Sequence, residues 1–96
     1  MGGQAKIEKY EELIRALQTF NTELIQSAEK MSQCSKKCMD IMGSDELSKK
    51  SAEKVESAVS KYRNVTLKST ELQKKLSREI ENIRRLMQEA QQMGEE

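Results

Sequence analysis

The stretch Met42-Gly43-Ser44-Asp45 decides the fold that we predict for this chain. Gly43 is the one glycine away from the chain ends, and helical patterns extend on both sides of it. Glycine adopts a positive φ at no steric cost, so it suits the residue that closes a helix. Ser44 is a favourable N-cap for a second helix, and Asp45 then falls in its first turn, where the macrodipole favours negative charge. A stop signal followed directly by a start signal predicts a tight turn at residues 43–45.

The composition favours two long helices on either side of this turn. Of the 96 residues, 35% are hydrophobic, 3% are aromatic and 34% are charged, and proline is absent. Such a chain is typical of amphipathic helices rather than of a sheet. We therefore predict an all-α fold with one domain over residues 1–96, an antiparallel helical hairpin. The alternative is one uninterrupted helix that tolerates Gly43 at a cost of about 1 kcal/mol relative to alanine.

Apolar residues recur on a seven-residue period before the turn, which predicts a first helix over about residues 4–42. One column contains Ile7, Ile14, Asn21, Ala28, Ser35 and Met42, and the next contains Tyr10, Leu17, Leu24, Met31 and Cys38. A third column flanks them and contains Leu13, Phe20, Ser27, Cys34 and Ile41. Three columns are wider than a two-stranded seam requires, so we expect contact with more than one neighbouring helix.

The period resumes after the turn and predicts a second helix over about residues 46–93. Its predicted core column contains Val55, Tyr62, Ser69, Leu76, Ile83 and Ala90. Beside it run a second column, Ala58, Val65, Leu72, Leu86 and Met93, and a third, Val59, Thr66, Ile80 and Met87. Glu79 interrupts the column that contains Leu72 and Leu86, and Ile80 of the third column takes its place. We therefore expect the apolar stripe to drift around a nearly straight helix. Wide apolar faces on both arms predict that two hairpins assemble into a four-helix bundle, as a homodimer or with another helical protein.

Two cysteines lie one helical turn apart near the predicted turn. Cys34 and Cys38 have Met31, Met39 and Met42 close by in sequence. They can pack as small hydrophobic residues, form a disulfide, or supply thiolates to a soft metal such as Cu(I). We expect core packing, because one helical turn is poor disulfide geometry and no histidine completes a metal site. No metal and no other cofactor is predicted.

The sequence shows no catalytic constellation. It contains no histidine, no glycine-rich phosphate loop and no nucleophile motif, so we predict that the protein is not an enzyme. The stretch from Lys61 to Arg85 contains eight basic and three acidic residues. The basic residues could bind the phosphates of a nucleic acid. The acidic residues interrupt this stretch, and Tyr62 is its one aromatic residue, so we expect a solvated helix face and no nucleic-acid partner.

The chain lacks a run of about 20 apolar residues that could span a bilayer, so no membrane insertion is expected. The residues from Met1 to Lys6 also lack the apolar stretch of a cleaved secretory signal. We therefore expect a cytoplasmic location, with export by a route that needs no cleaved signal left open.

The length, the two long helices and the glycine-centred turn resemble the WXG-type proteins of type VII secretion. They resemble still more the small helical partners of LXG toxins in Gram-positive bacteria. Ile41-Met42-Gly43 stands where that family has W-x-G, so the glycine matches and the tryptophan does not. The family's C-terminal export signature, an aromatic residue followed four residues later by Asp or Glu, is missing after Tyr62.

This resemblance implies an adaptor or targeting factor that binds the helical N-terminal region of a toxin, or another small helical hairpin, through its apolar stripe. The predicted partner-binding residues are Leu17, Phe20, Leu24, Leu72, Leu76, Ile80 and Ile83. Two other functions stay open at this stage: a self-associating structural bundle or coiled coil, and a basic helical regulator that binds nucleic acid.

Overall fold

The computed structural model describes residues 2–43 and 45–95, with side chains to residue 94. Helix α1 spans Gly2–Met42 and helix α2 spans Glu46–Glu95. The two helices form an antiparallel hairpin, and residues 2–43 and 45–95 contain no strand. The predicted all-α hairpin is therefore confirmed, and each helix extends two residues further at its open end than the periodic pattern indicated.

The first helix closes at Gly43 in the manner predicted. Gly43 has a φ of 76°, a left-handed conformation that costs a residue with a Cβ about 1–2 kcal/mol. Its backbone N–H donates to the carbonyl oxygen of Met39 over 2.8 Å. This single bond from the residue after the helix satisfies one of the last carbonyl groups of α1.

The second helix begins with a cap that differs from the predicted one. Ser44, predicted as the N-cap, lies outside the described residues. Helix α2 begins at Glu46, as the predicted bounds placed it, so Asp45 lies in the turn and directly before the first helical turn. The Oδ1 atom of Asp45 instead accepts a hydrogen bond from the backbone N–H of Ser48 over 2.7 Å, which is the geometry of an N-cap. This N–H favours the ionised carboxylate and lowers the pKa of Asp45.

The chain divides into two compact units. We call residues 2–19 with 69–95 the terminal unit, because it contains both ends of the described chain. We call residues 20–68 the turn unit, because it contains the turn between the helices.

Burial follows a seven-residue repeat in both helices, in which every buried residue lies at position a or d and faces the opposite helix. Position a includes Ile7 in α1 and Val59 in α2, and position d includes Tyr10 and Leu76. In α1 the buried and half-buried residues at these positions are Gly3, Ile7, Tyr10, Ile14, Leu17, Asn21, Leu24, Ala28, Met31 and Ser35. In α2 they are Ser48, Ala52, Val55, Val59, Tyr62, Thr66, Ser69, Gln73, Leu76, Ile80, Ile83 and Met87.

This repeat corrects the prediction that the stripe of α2 drifts. Ile80 is buried at position a, in one continuous column with Val59 and Thr66. Glu79 belongs to the neighbouring position g, which is exposed, so Ile80 does not take over from it. The sequence correctly predicts the column with Ser69 and Leu76 as core, since it is buried or half-buried from Val55 to Ile83. Polar Gln73 hides the continuity of the other buried column, the one with Val59 and Ile80.

Each unit has its own small core. In the terminal unit Ile7, Leu76 and Ile80 are buried, and each such side chain contributes about 1.5–3 kcal/mol relative to full exposure. A Cβ at Gly3 would lie 3.0 Å from the Met87 sulfur, so the helices approach closely there. In the turn unit the buried apolar residues are Ala28 and Val59.

None of the helices in the described part of the chain has a segment long and apolar enough to cross a membrane.

Candidate helix-binding surface

An apolar column lies exposed beside the seam in each helix, at position g of the repeat. In the turn unit this column supplies Phe20 and Ile41 from α1 and Val65 from α2. In the terminal unit it supplies Leu13 from α1 and Leu72 from α2. Large apolar side chains that a chain leaves in water at regular helical spacing mark a surface for another protein.

The two g columns of the turn unit adjoin each other on one side of the seam. Cys34 of α1 and Ser51 of α2, both at position g, line one cleft. The two e columns adjoin on the opposite side, where Ile25, Ser32 and Arg63 line a groove. This arrangement follows from chain direction, because reversing one helix brings like positions of the repeat face to face.

We define the turn-unit g surface as the exposed residues of these two adjoining columns, together with half-buried Ala58. Its members are Phe20, Ser27, Cys34, Ile41, Ser51, Ala58 and Val65. None of these residues carries a charge. The e positions of the same unit include Lys49, Glu56 and Arg63. The turn unit therefore has one uncharged side and one charged side.

Apolar residues near the turn enlarge the g surface. Met31, Cys34, Cys38 and Met42 of α1 and Leu47 of α2 line a cleft of about 170 Å³. Ile41, Met42 and Leu47 are more than half exposed in the hairpin alone. Methionine and cysteine side chains are polarisable, and methionine adapts its shape to a partner, which suits a binding surface.

In the terminal unit, charges interrupt the g column. Leu13, Leu72 and Leu86 are exposed there, but Lys6 and Glu79 occupy the same column. On the e side of this unit, Arg84 donates a hydrogen bond to Glu11 over 3.0 Å in a solvent-exposed ion pair. Such a pair contributes roughly 0–1 kcal/mol. Of the two units, the turn unit presents the more uniform apolar surface.

The predicted partner-binding residues separate into three groups in the structure. Leu76 and Ile80 are buried in the seam, so their assignment to a partner is corrected: they hold the two helices together. The half-buried residues are Leu17, Leu24 and Ile83. Phe20 and Leu72 are each 43% exposed and remain available to a partner.

Sequence reasoning left several exposed residues out of the predicted surface. Leu13, Ile41, Val65 and Leu86 all occupy position g and are exposed, although none was assigned to a partner. The seven-residue columns contain all four residues, but the sequence alone does not decide which columns face the opposite helix and which stay exposed.

The core packing expected of the two cysteines is wrong for this chain. Cys34 and Cys38 are both exposed, and both are free thiols. Position g places Cys34 beside the seam, and the seam of α1 ends at Ser35, before Cys38. Among the described residues, no group of three or more His, Cys, Asp or Glu side chains could hold a metal ion.

The basic residues between Lys61 and Arg85 do not share one face. Lys61, Lys68 and Lys75 occupy position c, whereas Arg63 and Arg84 occupy position e. The remaining three, Lys74, Arg78 and Arg85, lie at positions b and f. Phosphate groups along a nucleic-acid backbone would therefore meet only some of them at once.

Comparison of the chain with models of protein families, with curated proteins and with solved structures finds no match.

Proposed function

We propose that this chain is a non-catalytic helical adaptor that binds the helical N-terminal region of a toxin exported by type VII secretion. The uncharged, exposed g surface of the turn unit carries the proposal. The resemblance in length and turn position to the small helical partners of LXG toxins supports the choice of a toxin as the partner.

Binding would use the helix-to-helix mode of recognition. Exposed Phe20, Ile41 and Val65 offer side chains between which a partner's apolar residues can insert. Two partner helices laid on the g surface would complete a four-helix bundle. Helix binding also gives the exposed apolar area a role, which a hairpin that acts alone would not.

Self-association is the competing function, and the same surface would serve it. The chain would then be a structural bundle that needs no toxin. The test must therefore compare a toxin domain with a second copy of the chain on the same surface.

The experiment is co-expression with the N-terminal helical domain of an LXG-type toxin, followed by size-exclusion chromatography with light scattering. We expect a stable complex that the Val65→Glu variant loses, because a carboxylate buried within an apolar contact is costly. Ile25→Glu is the matched control: Ile25 is 49% exposed and Val65 43% exposed, but Ile25 lies on the e side.

Circular dichroism of the isolated variants checks that both substitutions leave the hairpin folded. A complex that survives Val65→Glu and is lost in Ile25→Glu would show that the binding side is wrong. A chain that forms only homodimers and ignores the toxin domain would refute the adaptor function.

A further inference from the structure

Lysines border the turn-unit g surface on both of its outer edges. Position c follows g around a helix with 3.6 residues per turn, so the c columns form these edges. In the turn unit the c positions hold Glu23, Lys30, Lys37, Leu47, Lys54, Lys61 and Lys68, and all of them are exposed. We call the five lysines of this set the rim lysines.

The hairpin does not neutralise this rim. In the part of the chain that the structure describes, none of the rim lysines forms an ion pair with a carboxylate. Glu23 is the one acidic residue among the c positions of the turn unit. The uncharged surface between the rims therefore lies between two rows of positive charge, although the whole chain has a net charge of only +1.

We propose that the turn-unit g surface recognises a helix whose apolar stripe is bordered by acidic side chains, in preference to a second copy of this chain. The inference rests on the proposed helix-binding function and names the partner's chemistry. Lysine stems can cover the edges of the apolar contact while their ammonium groups reach the partner's carboxylates.

A second copy does not provide this chemistry. Two g surfaces packed together would bring rim lysines against rim lysines, and like charges across an interface act against association. The e side does have acidic neighbours at position b, namely Glu29, Glu46 and Glu53. However, Lys49, Glu56 and Arg63 lie within that side, so it offers no continuous apolar stripe.

An anionic membrane would also attract the rim lysines, but the surface between them favours a protein. It holds one aromatic residue, Phe20, and small polar residues at Ser27 and Ser51. A membrane-surface helix typically places Trp, Phe and Leu together on its apolar face. Small residues instead let a second helix approach closely.

Two synthetic helical peptides of four heptads test the inference. They share one leucine stripe and differ in carrying Glu or Lys at the flanking positions. Fluorescence anisotropy with the full chain measures both dissociation constants. We expect the Glu-flanked peptide to bind about tenfold more tightly than the Lys-flanked one. The expected ratio is modest because each of the five exposed charge pairs contributes little by itself. Added salt should bring the ratio towards one.

Charge reversal of the five rim lysines to Glu should reverse the order of the two peptides. Val65→Gln should weaken the binding of both, because it removes the apolar contact and leaves the charge of the rim unchanged. All rim positions are exposed, so the reversed chain is expected to keep the hairpin, which circular dichroism checks.

The outcomes separate this inference from the proposed function. Equal binding of the two peptides, with loss in Val65→Gln, would overturn the acidic-rim inference and leave helix recognition standing. Binding of neither peptide would overturn the acidic-rim inference, and failure to bind the toxin domain as well would overturn the proposed function. Tighter binding to phosphatidylserine vesicles or to duplex DNA than to the Glu-flanked peptide would also overturn the inference.

Discussion

Two residues with different tasks make the turn. Gly43 supplies the left-handed conformation that ends α1, and Asp45 supplies the acceptor that begins α2. Sequence reasoning found both signals but assigned the cap to Ser44, because serine and aspartate are almost equally good caps. Which of two adjacent capping residues is used depends on where the helical conformation begins, and local preference alone does not decide that.

The cap of α2 predicts a pH dependence. The pKa of Asp45 is lowered in the folded chain, chiefly by the backbone N–H of Ser48. The ionised cap therefore stabilises the fold above the ordinary aspartate pKa of about 4, and this contribution is lost as the pH falls through the lowered value. We expect Asp45→Ala to unfold at a lower temperature than the parent at neutral pH, and the gap to shrink in acid.

Thermal unfolding followed by circular dichroism measures this gap. Glu53→Ala is the control, because it removes one exposed negative charge within α2 without removing a cap. A gap for Asp45→Ala that stays constant from neutral pH into acid would contradict the role of the ionised carboxylate.

In the helices, apolar character does not tell which columns are buried. In α1 the sequence correctly indicates that the column with Leu13 and Phe20 only flanks the seam. In α2 it correctly predicts the column with Ser69 as core, but polar Gln73 conceals the second buried column, whereas Leu72 and Leu86 are exposed. The register depends on which positions face the opposite helix. The pattern of one helix alone therefore does not decide whether position a or position g lies beside position d in the seam.

Substitutions in α2 of the terminal unit test this register. Ile80 is 5% exposed and Leu86 is 57% exposed. We expect Ile80→Ala to reduce the free energy of unfolding by about 2–5 kcal/mol, because it leaves a cavity in the seam. Leu86→Ala should cost less than about 1 kcal/mol, since its side chain is already largely in water.

Urea unfolding at equal protein concentration measures both variants. Leu86→Ala serves as the matched control, because it too shortens an apolar side chain in the same unit. Equal losses of stability for the two variants would show that position g is part of the core and that the seven-residue repeat is wrong.

For the molecule as a whole, an almost neutral charge balance conceals the local asymmetry. The composition gives a net charge of +1, from which no strong self-repulsion follows. The rim lysines nevertheless lie along a single surface, so repulsion between two copies acts where their apolar residues would meet. The positions of these lysines within the repeat, rather than their number, determine this charge asymmetry.

This asymmetry predicts that self-association strengthens with salt. Between about 0.01 M and 1 M ionic strength the Debye length falls from about 30 Å to 3 Å, which screens the rim lysines. We expect sedimentation equilibrium to show weak association at low salt and tighter association at high salt. A chain with Gln at the five rim positions should show a much smaller change, and a dimer that loosens as salt is added would contradict the prediction.

The exposure of Cys34 and Cys38 has a chemical consequence. The chain has no other cysteine, so a maleimide dye or spin label would attach within the turn unit and nowhere else. Cys34 lies on the g surface itself, so a reporter there would register an arriving helix directly. In air, oxidation can link these sulfur atoms of two chains in a disulfide. This covalent dimer would form without any affinity between the helices.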